Sequence, residues 1–336
     1  MRKAMFHFFI IALFFILSSC DKAKEESPAM KSSSMKLHSI NVNGKYGYIN
    51  QKGEIVIKPQ FDNVGGFDVD VASVKIGDKY GFIDKSGKFV IKPQFDYALF
   101  FKEGFASVKL NNKWGYIDRT GKITIKPQFD GALCFNEGLA LVKIGKKWGY
   151  INTAGKIIVP AEYDRQGIGF NEGLAVVKIG NKYGFMDKTG KIVIKPKFDD
   201  AVYFCDNLAS VRIGDKYGFI DKAGKFIITP QFDGAKGFFE GLAAIRIGNK
   251  WGYIDKTGEI IIKPQFEDAQ EFMEELAPVK IGGRYGFIDK TGKIVIKPQY
   301  DYDLTLGFWG GLSAVKIGKM HGYIDRTGKY VWKSSI

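Results

Sequence analysis

The chain has 336 residues, of which 45% are apolar and 15% aromatic, with 41 Gly and 10 Pro. That composition excludes a disordered chain and points to an ordered, turn-rich globular protein. Lys and Arg outnumber Asp and Glu by 50 to 36, a formal net charge of +14 that makes acidic surfaces candidate partners. Three His (His7, His38, His321) and three Cys (Cys20, Cys134, Cys205) are too scattered for a His/Cys metal site or a His-based catalytic apparatus, so no metal, no cofactor and no enzymatic activity is expected.

The N-terminus is read as an address. Met1-Arg2-Lys3 is a short basic start, and the apolar run from Ala4 to Leu17 is too short for a comfortable membrane span. The run ends in Leu17-Ser18-Ser19-Cys20, which resembles the lipobox of bacterial lipoproteins. By that resemblance residues 1–19 are a signal peptide. Cleavage then leaves Cys20 as a lipidated N-terminus carrying diacylglycerol and palmitate. Residues 20–36 lack periodicity and are rich in Ser and charge, as expected of a flexible tether with a reach of roughly 20 Å.

From residue 37 to 336 the chain repeats itself. An aromatic followed by Gly recurs at Tyr46-Gly47, Tyr80-Gly81, Trp114-Gly115, Trp148-Gly149, Tyr183-Gly184, Tyr217-Gly218, Trp251-Gly252 and Tyr285-Gly286, with His321-Gly322 in the ninth place. The period of about 34 residues means supersecondary units that cannot each bury a core alone and must stack on their neighbours. The stretches Lys113-Trp114-Gly115-Tyr116-Ile117-Asp118, Ile125-Lys126-Pro127-Gln128-Phe129-Asp130 and Glu137-Gly138-Leu139-Ala140 resemble the WG-repeat family of bacterial proteins. The resemblance implies a β-rich repeat of exported or surface-associated proteins, usually without an assigned ligand.

Each unit reads as three short strands. In one copy Leu242–Ile247 alternates with period two, Gly248-Asn249 supplies a hairpin turn, and Lys250–Asp255 follows. Asp255-Lys256-Thr257-Gly258 then turns the chain into a third strand through Ile260, Ile261 and Ile262, which Pro264 is expected to end because it has no donor. The expected fold is therefore all-β, with nine three-stranded meanders of about 34 residues stacked as an open or superhelical array. A closed propeller-like ring is the alternative, and a short extra strand at Gln94-Phe95-Asp96 would favour it.

A residue that recurs in every unit is expected to be architecture. Aromatic pairs such as Trp114 with Tyr116 are expected to form a buried ladder, with stacking on sugar rings as the rival. Asp118, Asp187, Asp221, Asp255 and Asp289 are expected to bond turn amides. Asp96, Asp130 and Asp233 with Glu103, Glu137 and Glu240 offer two carboxylates per unit, the raw material of a glycosidase pair. Lys75, Lys79, Lys85, Lys88 and Lys92 exemplify lysine rows that either bind anionic glycans, lipids or proteins or guard strand edges. Cys134 and Cys205 are expected as free buried thiols, and His321 as a filler of the terminal aromatic slot.

The irregular copies are the better place for recognition. The links after Pro160 and Pro298 are each longer than usual, and Arg165, Tyr302 and Trp309 within them are the candidate binding residues. The sequence thus points to an exported, lipid-anchored binding module of the cell envelope, at the outer membrane, its periplasmic face or the cell surface. Its expected partners are the membrane, through the N-terminal lipid, and an envelope or extracellular protein or glycan, with an anionic ligand a candidate; nucleic acid is not expected. The rivals are a glycan-binding or glycan-processing surface protein and a purely structural envelope protein.

Overall fold

The computed structural model describes residues 35–164, 169–301 and 307–334. Every regular element among them is a β-strand, and the strands form nine antiparallel sheets. The sheet of the third repeat shows the pattern: Tyr97–Lys102, Phe105–Leu110, Lys113–Asp118 and Ile123–Phe129 lie side by side in chain order. Six of the nine sheets have four such strands among the described residues.

This corrects the expected three-stranded meander and, with it, the open superhelical array. The link between meanders is itself a strand, pairing Tyr97 with Lys109 and Lys102 with Phe105 across one irregularity. A four-stranded antiparallel sheet whose last strand feeds directly into the first strand of the next sheet is the blade of a β-propeller. The propeller, held as the alternative, therefore replaces the array. The blades are numbered 1 to 9 in chain order, and the strands within each are called first to fourth.

The described chain divides into two compact units. One holds the residues up to 175 together with 186–191; the other holds 176–185 together with the residues from 192 on. Within each, successive blades stack face to face. In the first unit Tyr116, Ile125 and Phe129 of blade 3 pack against Ala132, Phe135 and Val142 of blade 4. In the second, Tyr253, Ile262 and Phe266 of blade 7 pack against Ala269, Phe272 and Val279 of blade 8. A blade needs both neighbours because its middle strands are buried on both faces, as in Leu139–Ile144, where four consecutive residues are buried.

The fourth strand is the exposed edge, and Pro does not end it. Ile123–Phe129 runs through Pro127 to the buried Phe129. The register slips between Trp114↔Phe129 and Tyr116↔Ile125, so the strand bulges where the proline sits. An edge bulge leaves the proline nitrogen without a ladder partner to serve, which is why Pro is tolerated there.

Candidate functional site

The bulge explains the aromatic-Gly pair. A Cβ on Gly115 would lie 2.5 Å from the Ile125 carbonyl oxygen and 2.7 Å from the Pro127 nitrogen, and Gly47, Gly149, Gly218, Gly252 and Gly286 meet the same backbone at equal range. Only glycine lets the fourth strand bulge inward over the third. The aromatic after the glycine is buried and reaches into the next blade. Tyr116 lies 4.8 Å from Phe135 and donates its hydroxyl to the Leu133 carbonyl at 2.8 Å. Burial raises its pKa well above the ordinary tyrosine value. The same ring pair recurs as Tyr48 with Phe67, Phe219 with Phe238 and Tyr253 with Phe272. Such pairs contribute about 1 kcal/mol each beyond the area they bury. The second aromatic of each expected pair thus forms a buried ladder, whereas the first, such as Trp114, is half-buried.

Both acid columns join blades. At one end of the blades, the Asp130 carboxylate accepts a hydrogen bond from Lys113 of blade 3 at 2.6 Å and from the Gly145 amide of blade 4 at 2.7 Å. The Lys113 bond, then the Gly145 amide, lower its pKa. Asp62, Asp96, Asp199 and Asp233 are held in the same way, with a lysine as the first cause of each lowering. At the other end, Glu103 accepts the amides of Glu137 and Gly138 in the turn of the next blade, at 2.6 and 2.9 Å. Glu240 likewise accepts Glu274 and Glu275, and Glu274 accepts Gly310 and Gly311. Asp96 and Glu103 flank a six-residue strand, which separates them by about 20 Å, far beyond the roughly 5–10 Å of a glycosidase pair. The turn aspartates behave as expected: Asp118 accepts the Thr120 and Lys122 amides and the Thr120 hydroxyl, the last being the chief cause of its lowered pKa.

Many lysines are likewise engaged in joining blades. Lys79 and Lys113 belong to the aspartate links and Lys188 pairs with Glu137 at 3.1 Å, while Lys85 pairs with Asp70 within blade 2 at 3.4 Å. Lys92 and Lys126 are exposed on fourth strands, where charge discourages edge-to-edge pairing.

Variation between blades concentrates in the first strand. Its leading residue shares a cross-strand rung with a cation and with the aromatic of the aromatic-Gly pair, as in Gly131, Lys143 and Trp148. The occupants are matched in size and polarity. Gly131 and Gly234 lie under Trp148 and Trp251, where a Cβ would meet the indole at 3.1 and 3.3 Å. Asn63, Asp200 and Asp268 stand where the partner is tyrosine and hydrogen-bond the hydroxyls of Tyr80, Tyr217 and Tyr285 at 3.3, 3.2 and 2.6 Å. Further along the strand, or just beyond it in blades 6 and 8, Phe100, Leu133, Tyr203, Lys236, Gln270 and Glu271 are half-buried and differ from blade to blade. In the second unit these form a polar run: Lys236 donates to Gln270, whose amide donates to Asp268 at 2.7 Å, and Lys236 lies 5.5 Å from the Trp251 ring.

Of the residues singled out in the sequence, Cys20, Arg165 and Tyr302 lie outside the described residues. Trp309 is half-buried beside the Gly310-Gly311 turn, its amide donating to the Leu312 carbonyl at 2.9 Å. His321 fills the aromatic slot of blade 9 opposite Lys316. Cys134 is a free thiol whose pKa burial pushes up to about 12, and Cys205 is buried, its amide bonded to the Leu208 carbonyl. Sequence reasoning missed the first-strand residues because the strand itself was read as a link.

The repeat now has a reason at each position, and a family model described as "WG containing repeat" matches it eight times in succession from residue 46 to residue 319. The chain belongs to the WG-repeat family. No curated protein matches it. Among solved structures it is similar to a eukaryotic initiation factor, at 10% identity over 90% of this chain and 96% of that one, with a TM-score of 0.64. It is also similar to the dihydro-heme d1 dehydrogenase NirN, at 13% identity over 82% and 76% of the chains, with a TM-score of 0.47. At such identities the first likeness is one of fold alone.

Proposed function

We propose that the chain is an exported, lipid-anchored binding module of the cell envelope that recognises a partner protein through the variable residues of its first strands. Acylated Cys20 holds it to the membrane and the segment to residue 36 spaces the blades from the bilayer. The observation that carries the reading is the division between columns. The acids and the buried aromatics are committed to joining blades and the glycines to admitting the fourth strand, while the half-buried residues in and just after the first strands change from one blade to the next. Side chains that vary on a rigid repeated scaffold are where specificity is written, and several such strands acting together gain by multivalency.

The test is photo-crosslinking in intact cells with the full chain. A variant carrying Lys236→Ala, Gln270→Ala and Glu271→Ala is expected to lose the partner adduct. A control carrying Lys126→Ala and Lys263→Ala on exposed fourth strands is expected to keep it. An adduct that survives the first variant undiminished overturns the reading. Labelled palmitate is expected to enter the wild-type chain and not the Cys20→Ala variant.

A further inference from the structure

Blade 3 breaks the rule that governs the rung at the start of the first strand. Trp148 and Trp251 each lie over glycine, and Tyr80, Tyr217 and Tyr285 each bond an Asn or Asp. Trp114 instead faces Tyr97, its ring centroid 5.5 Å away and steeply tilted. Tyr97 in turn lies 4.9 Å from Tyr80 of the preceding blade, so three aromatic rings run together across two blades. Tyr97 and Trp114 are both half-buried. A glycine at residue 97 would give the Trp114 indole the seat that Trp148 and Trp251 have in blades 4 and 7; the tyrosine fills that seat with a second half-buried ring.

A second irregularity sits beside the first. The turn between the second and third strands has glycine in its first position in blades 2 and 4 to 9, as Gly77, Gly145, Gly180, Gly214, Gly248, Gly282 and Gly318, all with positive φ. Blade 3 has Asn111-Asn112, with φ of 49° and 66°, the only such turn among the described residues in which both left-handed positions are filled without glycine. Each costs backbone energy that glycine would avoid. In exchange the turn displays two exposed carboxamides, each both donor and acceptor. The turn is fastened to the aromatic cluster. The Asn111 amide donates at 2.8 Å to Asp96, the residue before Tyr97, and Trp114 follows Asn112 by two residues.

We propose that blade 3 carries a saccharide site, in which Tyr97 and Trp114 pack against the C–H face of a pyranose ring and Asn111 and Asn112 hydrogen-bond its hydroxyls. A sugar hydroxyl donates and accepts at once, as a carboxamide does, and a ring face of C–H groups suits an aromatic surface. A few polar groups placed beside an apolar platform are the general make-up of a small-ligand site. The inference rests on the reading that first strands carry recognition and names a ligand class for one of them.

The experiment titrates the full chain with cellohexaose, maltohexaose, chitohexaose and mannohexaose, read by calorimetry and by tryptophan fluorescence. At least one is expected to give saturable heat with a fluorescence change. Tyr97→Gly recreates the Trp-over-Gly rung of blades 4 and 7, and Asn111→Gly recreates the glycine turn of the other blades, so both are expected to fold. Each is expected to weaken binding by about tenfold or more, the scale of one aromatic or polar contact. Trp114→Tyr is expected to keep the heat and lose most of the fluorescence change. Absence of saturable heat from all four sugars at millimolar concentration, or wild-type affinity in Tyr97→Gly, overturns the site. If the sugars fail while the crosslink still depends on Lys236, Gln270 and Glu271, the saccharide site falls and the first-strand reading stands. If both fail, both fall.

Discussion

A methyl group placed on Gly115 separates the two reasons a repeat protein keeps glycine. The new Cβ would lie 2.5 and 2.7 Å from backbone atoms of Ile125 and Pro127, where an ordinary contact is 3.4–4 Å. The fourth strand must therefore withdraw by about 1 Å, and no flexible side chain is there to absorb the clash. The withdrawal strains the pairing of Trp114 with Phe129 and loosens Ile125, which packs under Gly155 of a turn in blade 4. Overpacking of this kind together with a weakened ladder bond gives a cost of about 2–4 kcal/mol for Gly115→Ala. Gly145→Ala is the comparison, because its Cβ meets nothing within 4 Å and only its φ of +62° resists, at about 1 kcal/mol. Thermal unfolding followed by circular dichroism measures both, and hydrogen exchange across residues 113–129 shows whether the loss is local to blade 3. If Gly115→Ala costs no more than Gly145→Ala, the close approach of the bulge is not what holds glycine in the repeat.

Further outcomes are expected from the links between blades. Glu103→Ala leaves the Glu137 and Gly138 amides to water and is expected to lower stability by about 1 kcal/mol, read as a shift of the denaturant midpoint; an unchanged midpoint refutes the link. Asp62, Asp96, Asp130, Asp199 and Asp233 all have pKa values lowered from 3.8, so folding gains from their charged forms above that pH and loses the gain as pH falls below it. Acid titration is accordingly expected to show stability declining below about pH 4, less steeply in Asp130→Asn, and an identical slope in that variant would count against the link. With its thiol pushed up to about 12 by burial, Cys134 is expected to react with alkylating reagents at pH 8 only on unfolding, as mass spectrometry of labelled peptides would show; rapid labelling of the folded chain would contradict its burial.

The sequence makes the period and the middle strands legible because both rest on local signals: the aromatic-Gly pair, the alternation in Leu242–Ile247 and the Asp-Lys-Thr-Gly turn. The first strand escaped because its signal is not local. Tyr97–Lys102 and Gly234–Phe239 do not alternate, being buried against two neighbouring blades, and they share only the central alanine and the phenylalanine near the turn. Pro264 does not end its strand, Ile260–Phe266, because a missing donor is a defect only where a partner strand waits for it, and the bulged edge has none. The glutamates were recognisable as carboxylates in links but not as caps. The amides that donate to them lie a whole repeat away, and the spacing of Glu103 to Glu137 says nothing of orientation until the blades are stacked. The site in blade 3 was equally hidden, since Tyr97 is unusual only when set beside Gly131, Asp200, Gly234 and Asp268 in the same rung.

The head-to-tail bonding of the turn glutamates bears on how such a chain grows. Blades 4, 7 and 8 each offer one carboxylate forward and receive one at their own turn amides, so each of these repeats is at once a plug and a socket. A duplicated repeat inserted between two others brings a plug for every socket it adds, and a deleted repeat removes one of each. Change in the number of such repeats therefore leaves no turn among them unbonded, and a tandem gene can lengthen or shorten by these whole units while each intermediate remains foldable. Substitution within one copy has no such freedom, because it disturbs the bond to a neighbour that has not changed.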